Sequence, residues 1–123
     1  LLAATDAIVP VEPRYLETVG LTSVIQKIND IRDGWRHPNL RVSGLLVTKM
    51  DARVRGHNHL LDELKGHSVL GKLLLGVVPA NEAVSYAHQN HQSIFNYDPK
   101  APASKAYAQF VGKLVQRIAK GGA

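Results

Sequence analysis

Apolar residues along the chain follow two patterns: short unbroken runs, and longer stretches in which they recur every three or four positions. The first pattern suits strands covered on both faces, and the second places one apolar stripe on a helix. The run Ala7-Ile8-Val9-Pro10-Val11, closed by Pro13, predicts a strand with Pro10 near its end. Leu21, Val24, Ile25, Ile28 and Ile31 predict a helix from Leu16 to Asp33, ended by Gly34 and followed by a turn at His37-Pro38-Asn39. Val42 to Thr48 predicts a second strand. A shorter helix is expected from Asn58 to Lys65, with Leu60, Leu61 and Leu64 facing inward and Gly66 stopping it. Leu73 to Val78, ended by Pro79, predicts a third strand, and Asn81 an N-cap for a helix through Val84 and Ala87. Tyr107, Phe110, Val111, Leu114, Val115 and Ile118 form the clearest helical stripe, with Ser104 as its expected cap. Strands alternating with helices predict an α/β fold with a parallel sheet.

The 123 residues fit one domain, and a composition of 45% hydrophobic and 20% charged residues is that of a globular chain. Three parallel strands leave an unpaired edge, which native sheets usually cover, so partner strands are expected upstream. The opening Leu1-Leu2-Ala3-Ala4, without an initiating Met or a basic stretch, matches the interior of a longer protein. The absence of Cys removes disulfides, thiolate metal sites and cysteine nucleophiles, and fits a reducing cytoplasm. No apolar run approaches the roughly 20 residues of a membrane span. A net charge of +5 favours polyanionic partners such as DNA, RNA or anionic lipid, or describes a basic surface and nothing more.

Gly66-His67-Ser68-Val69-Leu70-Gly71-Lys72-Leu73 has the spacing of a phosphate-cradling loop until its last position. There Leu73 replaces the Ser or Thr that would hold Mg²⁺. Its context is also reversed, because a working loop follows a strand and opens a helix. A helix-to-strand turn explains it better. His57 with His59, and His88 with His91, have chelating separations but no third ligand cluster, and solvated histidines explain them equally well. A strand–turn–helix of the form G-x-S-x-G, which a serine hydrolase needs, is absent. Thr48-Lys49-Met50-Asp51 resembles the [N/T]-K-x-D element that reads a nucleotide base, and it lies at a strand's C-terminal end, where parallel sheets place ligands.

Four stretches together are similar to the ParA/Soj family of deviant Walker A partition ATPases. Leu1 to Leu16 resembles the family's A-L-A-A-A-D, hydrophobic, V-P-V-Q-P-E-Y-L segment, and Leu45 to Arg53 resembles V-L-L-T-M-Y-D-A-R. Val77-Val78-Pro79-Ala80-Asn81 resembles V-I-P-R-N, and Tyr97-Asp98-Pro99-Lys100 followed by Ala106-Tyr107 resembles Y-D-P-K-S…A-Y. The order and spacing are the family's across essentially the whole chain.

The resemblance implies the C-terminal half of a P-loop NTPase (Rossmann-like) fold, without the Walker A strand. It implies a parent that uses ATP and Mg²⁺, forms a homodimer around ATP, binds DNA non-specifically and responds to a ParB-like centromere-binding partner. The family's phosphate loop and acidic switch elements precede the region covered here, so this chain alone is expected to be inactive and to hold no cofactor. Thr48, Lys49, Met50, Asp51, Pro79, Ala80 and Asn81 fall in the family's base-binding region. Pro10, Glu12, Pro13 and Tyr15 fall at the dimer-facing edge of the nucleotide site. Two arginines of the common P-R-N-V-R-L are replaced, by Ala80 and Ala83, so any DNA surface would rest on Arg53, Arg55, Lys113, Arg117 and Lys120. Alternatives are a MinD-like ATPase, disfavoured because Gly121-Gly122-Ala123 is no amphipathic anchor, and a stand-alone DNA- or protein-binding module.

Overall fold

The computed structural model describes residues 5–34 and 41–120. The expected turn at His37-Pro38-Asn39, the opening Leu1 to Ala4 and the closing Gly121 to Ala123 lie outside them. Three strands, β1 (Asp6–Val11), β2 (Arg41–Met50) and β3 (Leu74–Pro79), form a parallel sheet in the order β1-β2-β3. Helix α1 (Pro13–Gly34) links β1 to β2, and α2 (Arg55–Gly66) with the four-residue α3 (Leu70–Leu73) links β2 to β3. After β3 come α4 (Glu82–Gln89), α5 (Ile94–Tyr97) and the long α6 (Pro102–Ala119).

The pleat divides the apolar residues between two faces. Val9, Val11, Val42, Leu45 and Val47 point to one side, where Leu16, Val24 and Ile28 of α1, Leu64 of α2 and Leu70 and Leu73 of α3 cover them. Leu46, Leu75 and Val78 point to the other, against Ala103 and Phe110 of α6. Central β2 is therefore buried on both faces, which is why its sequence from Val42 to Val47 is apolar apart from Ser43 and Gly44.

Several boundaries differ from expectation for local reasons. Pro13 opens α1 rather than merely closing the strand, because its fixed φ suits a first helical position. Gly20, at φ 74°, interrupts α1, a conformation glycine adopts without a Cβ penalty. Ser104 does not cap α6. Pro102 starts that helix earlier, and the Ser104 hydroxyl, fully buried, donates to the carbonyls of Asp98 and Ile94. The α6 stripe also divides: Phe110 is buried and Tyr107 and Leu114 pack beside it, while Val111, Val115 and Ile118 are exposed. At 100° per residue these are two adjacent rows, and only one faces the sheet.

The phosphate-loop look-alike is a turn between α2 and α3. His67 Nδ1 accepts from the amides of Val69 and Leu70, both at 3.2 Å, and so starts α3. A Cβ on Gly71 would lie 2.4 Å from the Lys65 carbonyl oxygen. The second glycine serves close backbone packing.

Candidate nucleotide crevice and basic surfaces

The three strands run in parallel, so their C-terminal ends open on one side of the sheet. The exits of β2 and β3 are tied by the Ala80 amide, which donates to the Met50 carbonyl at 2.8 Å. Beyond β3, Asn81 Oδ1 accepts from the Ala83 amide at 2.9 Å and caps α4. The expected cap therefore forms. At the end of β2, Lys49 adopts φ 54°, a left-handed conformation uncommon outside glycine. Its Nζ lies 3.1 Å from Glu12 Oε1, joining the exits of β1 and β2.

Between these exits lie two clefts. One, of 390 Å³, is bounded by Thr48, Lys49, Val78, Pro79, Ala80, Asn81, Glu82, Val84, Ser85 and Tyr107. The other, of 350 Å³, is bounded by Glu12, Pro13, Arg14, Lys49 and His57. Lys49 borders both. Five of the seven expected base-site residues, Thr48, Lys49, Pro79, Ala80 and Asn81, thus share one cleft. Met50 does not, since its side chain faces inward and packs in the core. Asp51 also lies outside that cleft. Its two carboxylate oxygens receive Nε and Nη2 of Arg53, each at 3.0 Å, and Oδ1 also accepts the Arg53 amide. These hydrogen bonds from Arg53 hold the Asp51 carboxyl down at about 2. The Asp51 amide in turn donates to His57 Nδ1 at 3.2 Å, and Asn58 Nδ2 donates to the Ala52 carbonyl at 2.8 Å, so the turn at 51–54 is fastened to the start of α2.

Of the four residues expected at the edge of the site, Glu12 and Pro13 line the second cleft, while Pro10 and Tyr15 are exposed outside both. Sequence reasoning missed Tyr107, Arg14 and His57 as cleft residues. Tyr107 was visible as part of a helical stripe and of the Ala106-Tyr107 resemblance, neither of which marked it as a cleft wall.

The five cations expected on a DNA surface divide between opposite ends of the sheet. Arg53 and Arg55 follow the C-terminal end of β2 and are both exposed. Lys113, Arg117 and Lys120 line a 740 Å³ groove between α6 and the start of β3, joined there by Lys72. Among the described residues, no Asp or Glu lines that groove. Arg117, however, is largely committed to the protein itself. Its Nη1 donates to the carbonyls of Ser43 (2.9 Å) and Leu73 (3.2 Å), and its Nη2 to that of Lys72 (2.8 Å).

At the same end, Asp6 receives Ser43 Oγ and Arg41 Nε, the latter at 2.7 Å. The Ser43 hydroxyl first, and the Arg41 guanidinium with it, lower the Asp6 carboxyl below its ordinary range. This network ties β1 to β2.

No family model matches the chain. Soj of Thermus thermophilus, a chromosome-partitioning ATPase, is 28% identical over 119 residues, covering 96% of this chain and 47% of its own length. The sporulation initiation inhibitor protein Soj of Bacillus subtilis is 28% identical over 124 residues, covering 99% of this chain and 46% of its own. The chain resembles the C-terminal half of a Soj/ParA partition ATPase. It spans a little under half the length of these curated relatives. Among solved structures, the cell division ATPase MinD of Pyrococcus furiosus superimposes with a TM-score of 0.71 at 16% identity, over 94% of this chain and 44% of MinD. That superposition shows that the Soj/ParA-like chain has the fold of the matching part of MinD, a little under half of that protein. No helix among the described residues is long and apolar enough to cross a membrane.

Proposed function

We propose that this chain is the base-binding and DNA-facing portion of an ATP-dependent DNA-partition protein. The observation that carries the proposal is the 390 Å³ cleft at the C-terminal strand ends, where Thr48 and Asn81 meet the apolar walls of Val78, Pro79 and Tyr107. Ligands of open α/β sheets bind at such strand ends. A mostly apolar cavity with a few polar groups suits a nucleotide base. In this proposal the base is adenine, read by Thr48, Pro79, Ala80 and Asn81, while Asp51 positions the loop through Arg53.

ATP and Mg²⁺ belong to the intact parent, which forms a homodimer around ATP and whose Glu12–Tyr15 turn lies at the edge of the site. The parent binds DNA without sequence preference and works with a ParB-like protein in the cytoplasm. Similarity to proteins named as chromosome-partitioning ATPases supports this proposal.

Phosphoryl transfer needs a phosphate loop, its lysine and Mg²⁺ to position and neutralise the transferring group. The Gly66–Leu73 segment does not serve as that loop, because it runs from the end of α2 through a short turn into α3 and has Leu73 where a Mg²⁺-holding hydroxyl is needed. The purified 123-residue chain with Mg²⁺ and ATP is therefore expected to release phosphate no faster than buffer, while adenosine shifts the amide resonances of Thr48, Ala80 and Asn81. Turnover that survives repurification would refute the inactivity, and unshifted amides at saturating adenosine would refute the base site.

A further inference from the structure

At the crevice, Lys49 near the end of β2 and Glu12 just after β1 carry opposite charges, and their side chains approach to 3.1 Å. Stability does not account for the pair. The Lys49 side chain is 72% exposed and that of Glu12 42%, and ion pairs so placed stabilise a fold little. Lys49 also holds a left-handed backbone conformation, which its side chain disfavours. Its position explains more, because it is the residue that borders both clefts.

We infer that Lys49 is the anion contact of the crevice and that Glu12 holds it in reserve. The ligand class is a phosphorylated nucleoside whose ring occupies the 390 Å³ cleft and whose phosphate reaches toward Arg14 and His57 in the 350 Å³ cleft. A phosphate offers more charge and more acceptor oxygens than one carboxylate, so it displaces Glu12 from Lys49 once it is close. Seating the ring supplies that closeness as a high effective concentration. Free phosphate has no such anchor and must compete with Glu12 from bulk solution. The pair thus selects nucleotides over free phosphate. This inference rests on the proposed base site for the ring, but not for the Lys49 contact itself.

The test is titration of the chain with adenosine and, separately, with AMP, followed by nuclear magnetic resonance, in wild type, Glu12→Gln, Lys49→Gln and the double variant. Both side chains are solvent-facing, and circular dichroism checks that each variant folds. Adenosine affinity is the reference within each protein, so that any change at the ring cleft, which Lys49 also borders, is separated from the phosphate contact. AMP should bind Glu12→Gln about two- to fivefold more tightly than wild type, the range of an exposed ion pair. In Lys49→Gln and the double variant AMP should bind no more tightly than adenosine. Tightening by Glu12→Gln that persists without Lys49 would overturn the inference, since Glu12 would then act only as a repelling charge. AMP affinity unchanged in Lys49→Gln, with adenosine still bound, would overturn it and leave the base site standing. Lys49-dependent AMP binding without adenosine binding would uphold the anion contact and remove the base site. Binding of neither ligand would remove both.

Discussion

Arg117 Nη1 donates to the carbonyl oxygen of Ser43 at 2.9 Å, linking residues 74 positions apart in sequence. With its further bonds to Leu73 and Lys72, this one guanidinium ties α6 to the start of β2 and to the end of α3. A rigid planar fork can serve three carbonyls at once, which a lysine ammonium on a flexible stem does poorly.

Arg117→Met is therefore expected to destabilise the chain by about 1.5–3 kcal/mol, the range for hydrogen bonds to a charged group. Urea unfolding measures the loss. The same variant should leave the salt dependence of DNA binding unchanged, because the side chain is already occupied. A stable variant with a flatter salt dependence would reverse this assignment and return Arg117 to the DNA surface.

The clasp between Asp51 and Arg53 predicts a pH response with a definite sign. Its carboxyl titrates at about 2 in the folded chain, below the ordinary carboxylate value of about 3.9. Proton uptake is thus resisted by the folded state. The contribution of the clasp is complete above the unfolded value and is lost as pH falls toward about 2. A carboxyl-carbon titration should place the Asp51 midpoint well below those of exposed aspartates, and Arg53→Ala should return it to the ordinary range. A wild-type midpoint in that ordinary range would mean that the clasp does not persist in solution.

The strands and most helices were legible because each rests on a local pattern. The largely apolar run of β2, broken only at Ser43 and Gly44 between Val42 and Val47, reports burial on two faces, and Asn81 reports its cap through one side-chain oxygen. What escaped depended on contacts between distant residues or on short elements. α5 has four residues and one serine cap, too little to register as a period. Arg117 shows the limit most clearly. Its charge placed it on a nucleic-acid surface, and only the approach of Ser43 and Leu73 reveals its occupation. The site divides the same way: the strand-end rule located Thr48 and Asn81, whereas the fate of Asp51 was decided by Arg53 two residues on.

Asn81 caps α4 through Oδ1 and borders the cleft proposed for the base, and substitutions can separate these two roles. Asn81→Ala should lose about 0.5–2 kcal/mol of stability through the missing cap. Asn81→Asp keeps an acceptor and places a negative charge at a helix N-terminus, where it is favourable, so stability should be retained. Both should weaken adenosine binding by about 1–3 kcal/mol, because the amide donor is gone in each. Paired thermal unfolding and calorimetry check this. Equal adenosine affinity in Asn81→Asp and wild type would confine Asn81 to capping.

The divided basic surface gives the last prediction. Removing one cation that touches a DNA phosphate should flatten the plot of log affinity against log salt by roughly 0.9. Arg53 is paired with Asp51 and releases no counterion, whereas Arg55 has an exposed side chain at the start of α2. Arg53→Ala with Arg55→Ala should therefore flatten the slope by roughly 0.9, half of what two independent phosphate-binding cations would give. Lys113→Ala with Lys120→Ala, in the groove without carboxylates, should flatten it by roughly 1.8. Affinity should fall equally for unrelated duplexes, since phosphates carry no sequence information. If the lysine pair leaves the slope unchanged while the arginine pair flattens it by the full amount for two cations, the DNA lies across the strand exits and the Asp51 clasp opens on binding. If neither pair changes it, these four residues are solvated charges and DNA binding is not a property of this half.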